Sequence, residues 1–450
     1  MLPSHQLLRS WLERTIQAKA AQGHVTDGLD AELAGLPDSY DALDAFAQKL
    51  ADLPLRGDWP YVEPDEWDDI LAECDPSRPA EPICQVDLAD AARRVEAGFL
   101  ASCCGCILGK PLEVNPSLAE LRAAAEAVGE WPLRNYVSEE MLDALGRRHG
   151  SWQDTTRGNI RYVASDDDLN YAVLGMLLME GPGIAMTRDH IRDAWLWHLP
   201  ARWTFGPERF TLLKAGIQSL GDLAESDYHR WVSTWNPMDE FCGALIRADA
   251  FGYACPGRPR LAAELAWRDA SWTHRRTGIY GEMYVAAAIA LALVMDDPLA
   301  VFETALKYVP RRSRFHEETA ANLDCVAAAG DWLDGHERIH RRYDRKATHC
   351  RVYQEVGTLI NTLRFAEDVG DGIGKQVAQG NDTDSFGCTG GAILGAFFGP
   401  GHLEDRWLAV FNDEIRTSLS GFFERSLRAV AERMGRLPAK IAGEIAASGH

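Results

Sequence analysis

Apolar residues recur at helical intervals along almost the whole of this chain, and alternating, strand-like runs are scarce. Leu43, Phe46 and Leu50, for example, fall on one face of a predicted helix. The pattern therefore predicts an all-α protein. Apolar residues make up 46% of the 450 residues, which is enough to bury a large helical core.

A proline-rich segment at residues 54–82 divides the chain. Prolines at this density resist regular structure and indicate a linker or an arm that wraps around the main domain. We predict a helical extension and proline-rich arm over residues 1–86, a main helical domain over 87–400, and closing helices over 401–450. The six prolines are Pro54, Pro60, Pro64, Pro76, Pro79 and Pro82.

Composition excludes several classes of function. The net charge of −21 argues against general nucleic-acid binding, which normally needs a basic face. The longest apolar stretch, residues 284–295, has twelve residues and is too short to span a bilayer. The start of the chain lacks the apolar run of a signal peptide. Only Cys103 and Cys106 of the ten cysteines have C-x-x-C spacing, so we expect reduced thiols in a cytoplasmic protein.

Two oxygen-rich clusters lie far apart in the sequence, at residues 165–168 (Ser-Asp-Asp-Asp) and 381–385 (Asn-Asp-Thr-Asp-Ser). Each opens into an apolar stretch with helical spacing, so its carboxylates and hydroxyls are predicted at the positive end of a helix. If the fold joins the clusters, they form a pocket of hard oxygen ligands, which suits magnesium rather than zinc. The alternative for the first cluster is a capped core helix, beginning at Ser165, whose acidic end is solvated.

A helix built on small residues follows the second cluster. Its glycines recur every fourth residue, at Gly387, Gly391, Gly395 and Gly399. Each glycine costs roughly 1 kcal/mol inside a helix, so four on one face indicate that a second helix or a ligand approaches closely. The short run with Asp at its head favours soluble packing over a membrane dimerisation motif. The alternative is an Asx-rich turn that enters a packed helix.

Further segments complete an ordered set of motifs, which lie at residues 105–113, 165–168, 243–247, 273–274 with 278–281, and 380–385. In the same order, they match segments written G-D-x-x-G-x-P-x-E, S/T-D-D-T, G-A-x-x-R, Thr-His and G-x-D-T-D-T/S. Over roughly residues 90–400 the chain thus resembles the ADP-ribosylglycohydrolases, the family of the dinitrogenase-reductase-activating and ADP-ribosylarginine hydrolases. The resemblance implies a compact orthogonal multi-helix bundle, here with N- and C-terminal helical additions.

The resemblance also implies a set of site residues. Two Mg²⁺ ions, with Mn²⁺ as a possible substitute, would be held by Ser165, Asp166, Asp167, Asp382, Asp384 and Ser385. Glu113 would polarise a water molecule beside them, and Asp167 and Asp384 would share the catalytic role. The residues implied to embrace ADP-ribose are Gly243, Arg247, His274, Gly278, Tyr280 and Gly281.

The chain departs from the family pattern at four positions in these motifs or directly before one of them. Cys106 replaces an aspartate, Asp168 a threonine, Asn381 a common glycine, and Cys242 an asparagine. These changes bear on the identity of the substrate more than on metal binding.

Some of these residues also have ordinary structural interpretations. Without the resemblance, His274 is an ordinary hydrogen-bonded histidine, and Arg247 and Asp249 are a structural ion pair on one helix. Tyr280 is an aromatic that packs in the core.

The resulting hypothesis is hydrolysis of the glycosidic bond at ribose C1 of an ADP-ribosylated substrate. The leaving group is a protein side chain, a nucleic-acid end or a free metabolite. One alternative is a hydrolase of a free N-riboside or nucleotide metabolite. Another is a catalytically silent protein that binds ADP-ribose or has a structural role on the same scaffold. We expect no general nucleic-acid partner and no membrane association, and the sequence predicts no particular oligomeric state.

Overall fold

The protein consists of α-helices joined by loops and short 3₁₀ turns. A computed structural model describes residues 3–218, 228–343 and 352–448. These residues contain 23 α-helices and no β-strand. The all-α prediction is therefore confirmed.

The first helices form a small apolar cluster of their own. It lies between α1 (His5–Ala21), α2 (Leu29–Gly35) and α3 (Tyr40–Ala51). Its buried side chains are Leu8, Leu12, Ile16, Leu29, Leu33, Leu43, Phe46, Ala47 and Leu50. The apolar helix face predicted near residues 43–50 therefore packs into this local cluster and not into the main core.

The proline-rich segment wraps around the main domain, with only one short helix, α4 (Trp67–Glu73). The Tyr280 hydroxyl donates to the Pro64 carbonyl at 2.5 Å. The Trp267 ring nitrogen donates to the Asp65 carbonyl at 2.8 Å. Because such contacts reach helices more than 200 residues later in the sequence, the segment is an arm rather than a free linker.

Most of the remaining helices surround one large core. They are α5 (Leu88–Gly109), α6 (Leu118–Ala127), α7 (Glu139–Leu145), α8 (Trp152–Thr155), α9 (Asp167–Glu180), α10 (Arg188–His198), α11 (Gly206–Gln218), α12 (Tyr228–Ser233), α13 (Asp249–Ala254), α14 (Pro259–Ala270), α15 (Thr277–Ala292), α16 (Pro298–Leu306), α17 (Arg314–Ala327), α18 (Trp332–Tyr343), α19 (Val352–Phe365), α20 (Val369–Ala378) and α21 (Thr383–Phe398). The chain closes with α22 (Asp405–Ala409) and α23 (Leu427–Ser448). Residues 410–426 are irregular, so the closing helices are shorter than the apolar pattern suggests.

Helices α5 and α21 form the centre of the core and pack antiparallel. A Cβ atom added at Gly387, Gly391 or Gly395 would lie closer than 3.0 Å to a backbone carbonyl oxygen of α5, those of Gly105, Ala101 and Ala97 respectively. The glycine face of α21 therefore admits another helix, as its spacing predicts. Gly399 lies just beyond the helix and has a positive φ of 77°.

The composition of α5 reflects this central position. Residues Leu88–Leu112 are long and apolar enough to cross a membrane, but 83% of their most apolar 18 residues is buried inside the protein. Helix α5 packs against both α21 and α23. Cys103, Cys104 and Cys106 are buried along it as free thiols.

Asp249, the first residue of α13, is fully buried, and neither carboxylate oxygen has a hydrogen-bond partner among the described residues. Burial raises its pKa to about 8. Arg247 lies two residues earlier but pairs with Asp269 and Glu208 instead. The expected ion pair between Arg247 and Asp249 is therefore wrong, because short helical segments turn the two side chains toward different neighbours.

We expect Asp249→Asn to stabilise the protein at pH 8 but not at pH 4. The unfolded carboxyl ionises near pH 4 whereas the folded one keeps its proton to about pH 8. The wild-type protein thus loses stability as pH rises through this window and levels off above it. The expected gain at pH 8 is on the order of 5 kcal/mol, because each pKa unit between the folded and unfolded states is worth about 1.4 kcal/mol. Urea unfolding at both pH values, with exposed Asp324→Asn as the control, measures it; an equal effect at pH 4 and pH 8 would contradict the prediction.

Candidate active site

The end of α5 and the first turns of α9 and α21 meet at one place. Because α5 and α21 are antiparallel, Gly109 at the end of α5 lies against Thr383 at the start of α21. The Thr383 hydroxyl donates to the Gly109 carbonyl at 2.8 Å. A 3₁₀ turn over Lys110–Leu112 then presents Glu113 at the same place, with its side chain 39% exposed. The turn after α5 therefore brings a carboxylate to the first turns of α9 and α21.

The two acidic clusters converge on a single ammonium group. Lys110 Nζ lies 2.5 Å from Asp166 Oδ2, 2.8 Å from Asp384 Oδ2 and 3.0 Å from Glu113 Oε2. Asp166 and Asp384 are almost fully buried, with side chains 1% and 2% exposed. Residues more than 200 positions apart in the sequence thus form one cluster of carboxylates.

Asp166, rather than Ser165, caps α9, since its carboxylate accepts from the Asp168 amide at 3.1 Å. The predicted helix start is therefore shifted by one residue. Ser165 instead lies outside the helix, with its hydroxyl 2.6 Å from that of Ser418. Ser385 is buried in the first turn of α21.

The turn before α21 explains why glycine is common there. Gly380 and Asn381 have positive φ values of 81° and 63°. Asparagine tolerates this left-handed conformation better than most residues, so it can replace glycine. The turn places Asp382 directly before the helix, where its Oδ2 lies 3.9 Å from Cys242 Sγ.

The cluster holds more negative charge than Lys110 can neutralise. Burial, followed by the charge of Asp166, raises the pKa of Asp167 and of Asp168 well above the usual range. Burial and Asp384 do the same to Asp382. Although burial opposes it, the Lys110 ammonium holds the pKa of Asp166 below its usual value. The poorly compensated carboxylates are therefore those whose pKa is raised, Asp167, Asp168 and Asp382.

Unpartnered oxygens show that the donor set fits a cation. Both oxygens of Asp168 and Oδ1 of Asp384 are buried without a hydrogen-bond partner among the described residues, and Asp166 Oδ2 has only the ion pair with Lys110. Asp168 is fully buried. Buried carboxylates in native proteins are normally paired or bind metals. Ligand atoms of Cys106, Asp166 and Asp168 lie within 4.8 Å of one another, so this buried group could hold a metal ion.

The residues predicted to bind substrate are mostly buried. Arg247 Nη1 donates to Glu208 Oε1 at 3.0 Å, and His274 Nε2 lies 3.5 Å from the same oxygen. A Cβ atom at Gly243 would lie closer than 3.0 Å to Glu208. One buried glutamate therefore ties the segments of Gly243 and His274 together.

The remaining predicted substrate residues lie at the start of α15. Gly278 packs against the His274 ring, and Gly281 packs against Leu245. The Tyr280 hydroxyl is bound by the proline-rich arm. The role of all six residues in substrate binding stays a prediction.

Sequence reasoning missed two residues, Lys110 and Glu208. A signal existed for Lys110, because a lysine in the apolar run of residues 101–112 needs a buried anionic partner. Glu208 carries no such signal, since it lies in the first turn of α11, where acidic residues are common. Burial, opposed by Arg247, raises its pKa to about 7.

Comparison with known proteins agrees with the motifs. Residues 87–439 match the sequence model of the family described as ADP-ribosylglycohydrolase. A solved structure titled "ADP-ribosylglycohydrolase-related protein complex" has 18% sequence identity and a TM-score of 0.49, over 78% of this chain and 99% of that chain. No curated protein matches the sequence. Because the family match spans well over half of its length, the chain belongs to the ADP-ribosylglycohydrolase family, a family of glycosyl hydrolases.

Proposed function

We propose that this protein hydrolyses the glycosidic bond at ribose C1 of an ADP-ribosylated substrate in a magnesium-dependent reaction. The observation that carries the proposal is the meeting of Asp166, Asp384 and Glu113 around one cationic position. This position lies at the starts of α9 and α21, where the helix ends add positive potential. Family membership supports the class of reaction.

Asp166, Asp168 and Asp384 would hold the metal, because their buried oxygens include those without protein partners. Asp167 and Asp382 are the adjacent carboxylates. A divalent cation bound there would supply the positive charge needed to hold ribose hydroxyls and to activate water. The resemblance implies two Mg²⁺ ions, with Mn²⁺ as a possible substitute.

Glu113 is the carboxylate best placed to move a proton. Its side chain is 39% exposed, in contrast to the buried Asp166 and Asp384. Burial and the charge of Asp384, opposed by Lys110, raise its pKa to about 8. A general acid or base works best when its pKa lies near the working pH. Glu113 therefore accepts a proton from the attacking water, and His149 Nε2, 3.7 Å away, lies beside it.

The surrounding carboxylates favour the developing charge on the sugar. Cleavage at C1 passes through an oxocarbenium-like state, which an anionic shell stabilises. Gly243, Gly278 and Gly281 belong to the loops that would enclose ADP-ribose. Arg247 and His274 would hold these loops in place through Glu208.

A screen of ribosylated substrates in Mg²⁺ buffer tests the proposal. Mass detection of released ADP-ribose from modified peptides, nucleic-acid ends or small molecules would support it and identify the leaving group. Release of ribose from a free N-riboside would favour the small-molecule alternative. Calorimetric binding of ADP-ribose without turnover of any compound would instead favour a catalytically silent protein.

We expect Glu113→Gln to lower kcat by roughly 10²–10⁴-fold, the usual contribution of a positioned acid or base. The amide keeps the shape of the side chain but cannot accept a proton. The rate of ADP-ribose release measures the effect. Glu126→Gln, on the exposed face of α6, is the matched control and should keep the wild-type rate. Equal rates for the two variants would remove Glu113 from the mechanism.

A further inference from the structure

Lys110 lies between the two acidic clusters, with its ammonium group against one carboxylate of each. It is 8% exposed and touches one carboxylate from each of three segments, Asp166, Asp384 and Glu113. An ammonium has three protons to donate, and three carboxylates surround this one. The side chain therefore acts as a cation built into the chain.

The backbone around Lys110 is held firmly in place. Gly109 lies so close to Thr383 that a Cβ atom would collide with its carbonyl group. Pro111 follows, and its carbonyl accepts from the His149 amide at 3.0 Å. Leu112 is fully buried. Movement of the ammonium into solvent would leave the buried oxygens of Asp166 and Asp384 without their partner.

Two divalent ions and this ammonium do not fit the same carboxylates. Mg²⁺ binds oxygens at about 2.0–2.1 Å and demands near-octahedral geometry. Asp166 Oδ2 and Asp384 Oδ2 already face Lys110. A divalent ion bound through these same oxygens would lie next to the ammonium charge and be repelled.

Three buried oxygens that form no hydrogen bond in this cluster suit one ion. Asp384 Oδ1 and both oxygens of Asp168 are buried without partners among the described residues. Asp168 also lies beside Cys106 and Asp166, and their ligand atoms fall within 4.8 Å of one another. None of these three oxygens accepts a hydrogen bond from Lys110, so a single cation bound through them adds to its charge without displacing it.

We infer that this chain binds one divalent cation rather than two, because the ammonium of Lys110 takes the place of the second. The inference rests on the proposed metal-dependent hydrolysis and refines it. It assigns Lys110 as a positioning residue, which holds the carboxylates of Asp166, Asp384 and Glu113 in place beside one ion. It also predicts that removal of the ammonium opens a second ion site.

Mn²⁺ binding to the full chain tests the inference. Equilibrium dialysis with elemental analysis should give one Mn²⁺ per wild-type chain, with the six-line electron paramagnetic resonance spectrum of an isolated ion. Lys110→Met should bind two, with the exchange-coupled spectrum of ions about 3.5–4 Å apart. Lys375→Met removes a lysine paired with Asp371 on α20, and this control should still bind one ion.

Each other result overturns some part of the inference. Two coupled ions in the wild-type protein would remove the inference while leaving the proposed hydrolysis intact. One ion in both the wild type and Lys110→Met would show that Lys110 does not set the number. No bound ion in any variant would overturn the proposed metal dependence as well. Circular dichroism shows whether Lys110→Met folds. If it does not, the number of Mn²⁺ ions bound by Lys110→Gln and by the wild type still tests the inference.

Discussion

Asp384→Asn is expected to lower kcat for ADP-ribose release by about a thousandfold and to weaken Mn²⁺ binding strongly. The effect is large because metal-ion catalysis contributes several kcal/mol, and each 1.4 kcal/mol is about tenfold in rate. Asp384 is buried in the first turn of α21, contacts Lys110 and offers an unpartnered Oδ1 toward a cation. Asparagine keeps the shape but removes the charge.

Steady-state rates by mass detection and Mn²⁺ affinity by dialysis measure the two effects. Asp296→Asn, in an exposed loop, is the control and should match the wild type in both. A thermal melt verifies that each variant is folded. Full turnover by Asp384→Asn in chelator-treated buffer would end the metal-dependent mechanism.

Gly391→Ala is expected to lower the free energy of unfolding by about 3 kcal/mol, at the upper end of the usual cost of overpacking. The new methyl group would lie closer than 3.0 Å to the carbonyl of Ala101 on α5. Backbone atoms of a central helix cannot move aside as a flexible side chain can. The two helices would be forced apart, so Lys110 and Glu113 would move away from Asp384.

In urea unfolding, Gly391→Ala should have its midpoint at a lower urea concentration than the wild type. Its activity should also be lower than that of the wild type. Gly443→Ala is the control, because a Cβ atom at Gly443 in α23 would meet nothing within 4 Å. That variant should gain about 0.5–1 kcal/mol, since alanine favours helix over glycine. Equal midpoints for Gly391→Ala and the wild type would contradict the close packing of α5 and α21.

The sequence predicts much of the fold because helices are local. Apolar periodicity depends on residues three and four apart, so the all-α class follows from it and the structure agrees. The glycine spacing of α21 predicts a close neighbour for the same reason. It does not name that neighbour. The partner, α5, lies nearly 300 residues earlier, and only packing selects it.

The active site, like the fold, has some features that the sequence predicts and others that only packing decides. Its carboxylates and Glu113 stand out by residue type, and the ordered motifs point to the family that the comparison confirms. The ammonium among them does not stand out, nor does the buried glutamate that joins Arg247 to His274. Lys110 meets Asp384 across 274 residues of sequence. Such a meeting has no local signature, because it depends on how two helices align.

By itself, then, the sequence determines the helical class, the family and the kinds of ligand atoms that this protein offers. Only the tertiary structure decides that α5 runs antiparallel to α21, and hence that a lysine lies between Asp166 and Asp384. The physical reason is the separation in sequence between the residues that interact. Local patterns specify helices and their ends, whereas the charge balance of a buried site is set by groups that packing brings within a few ångströms.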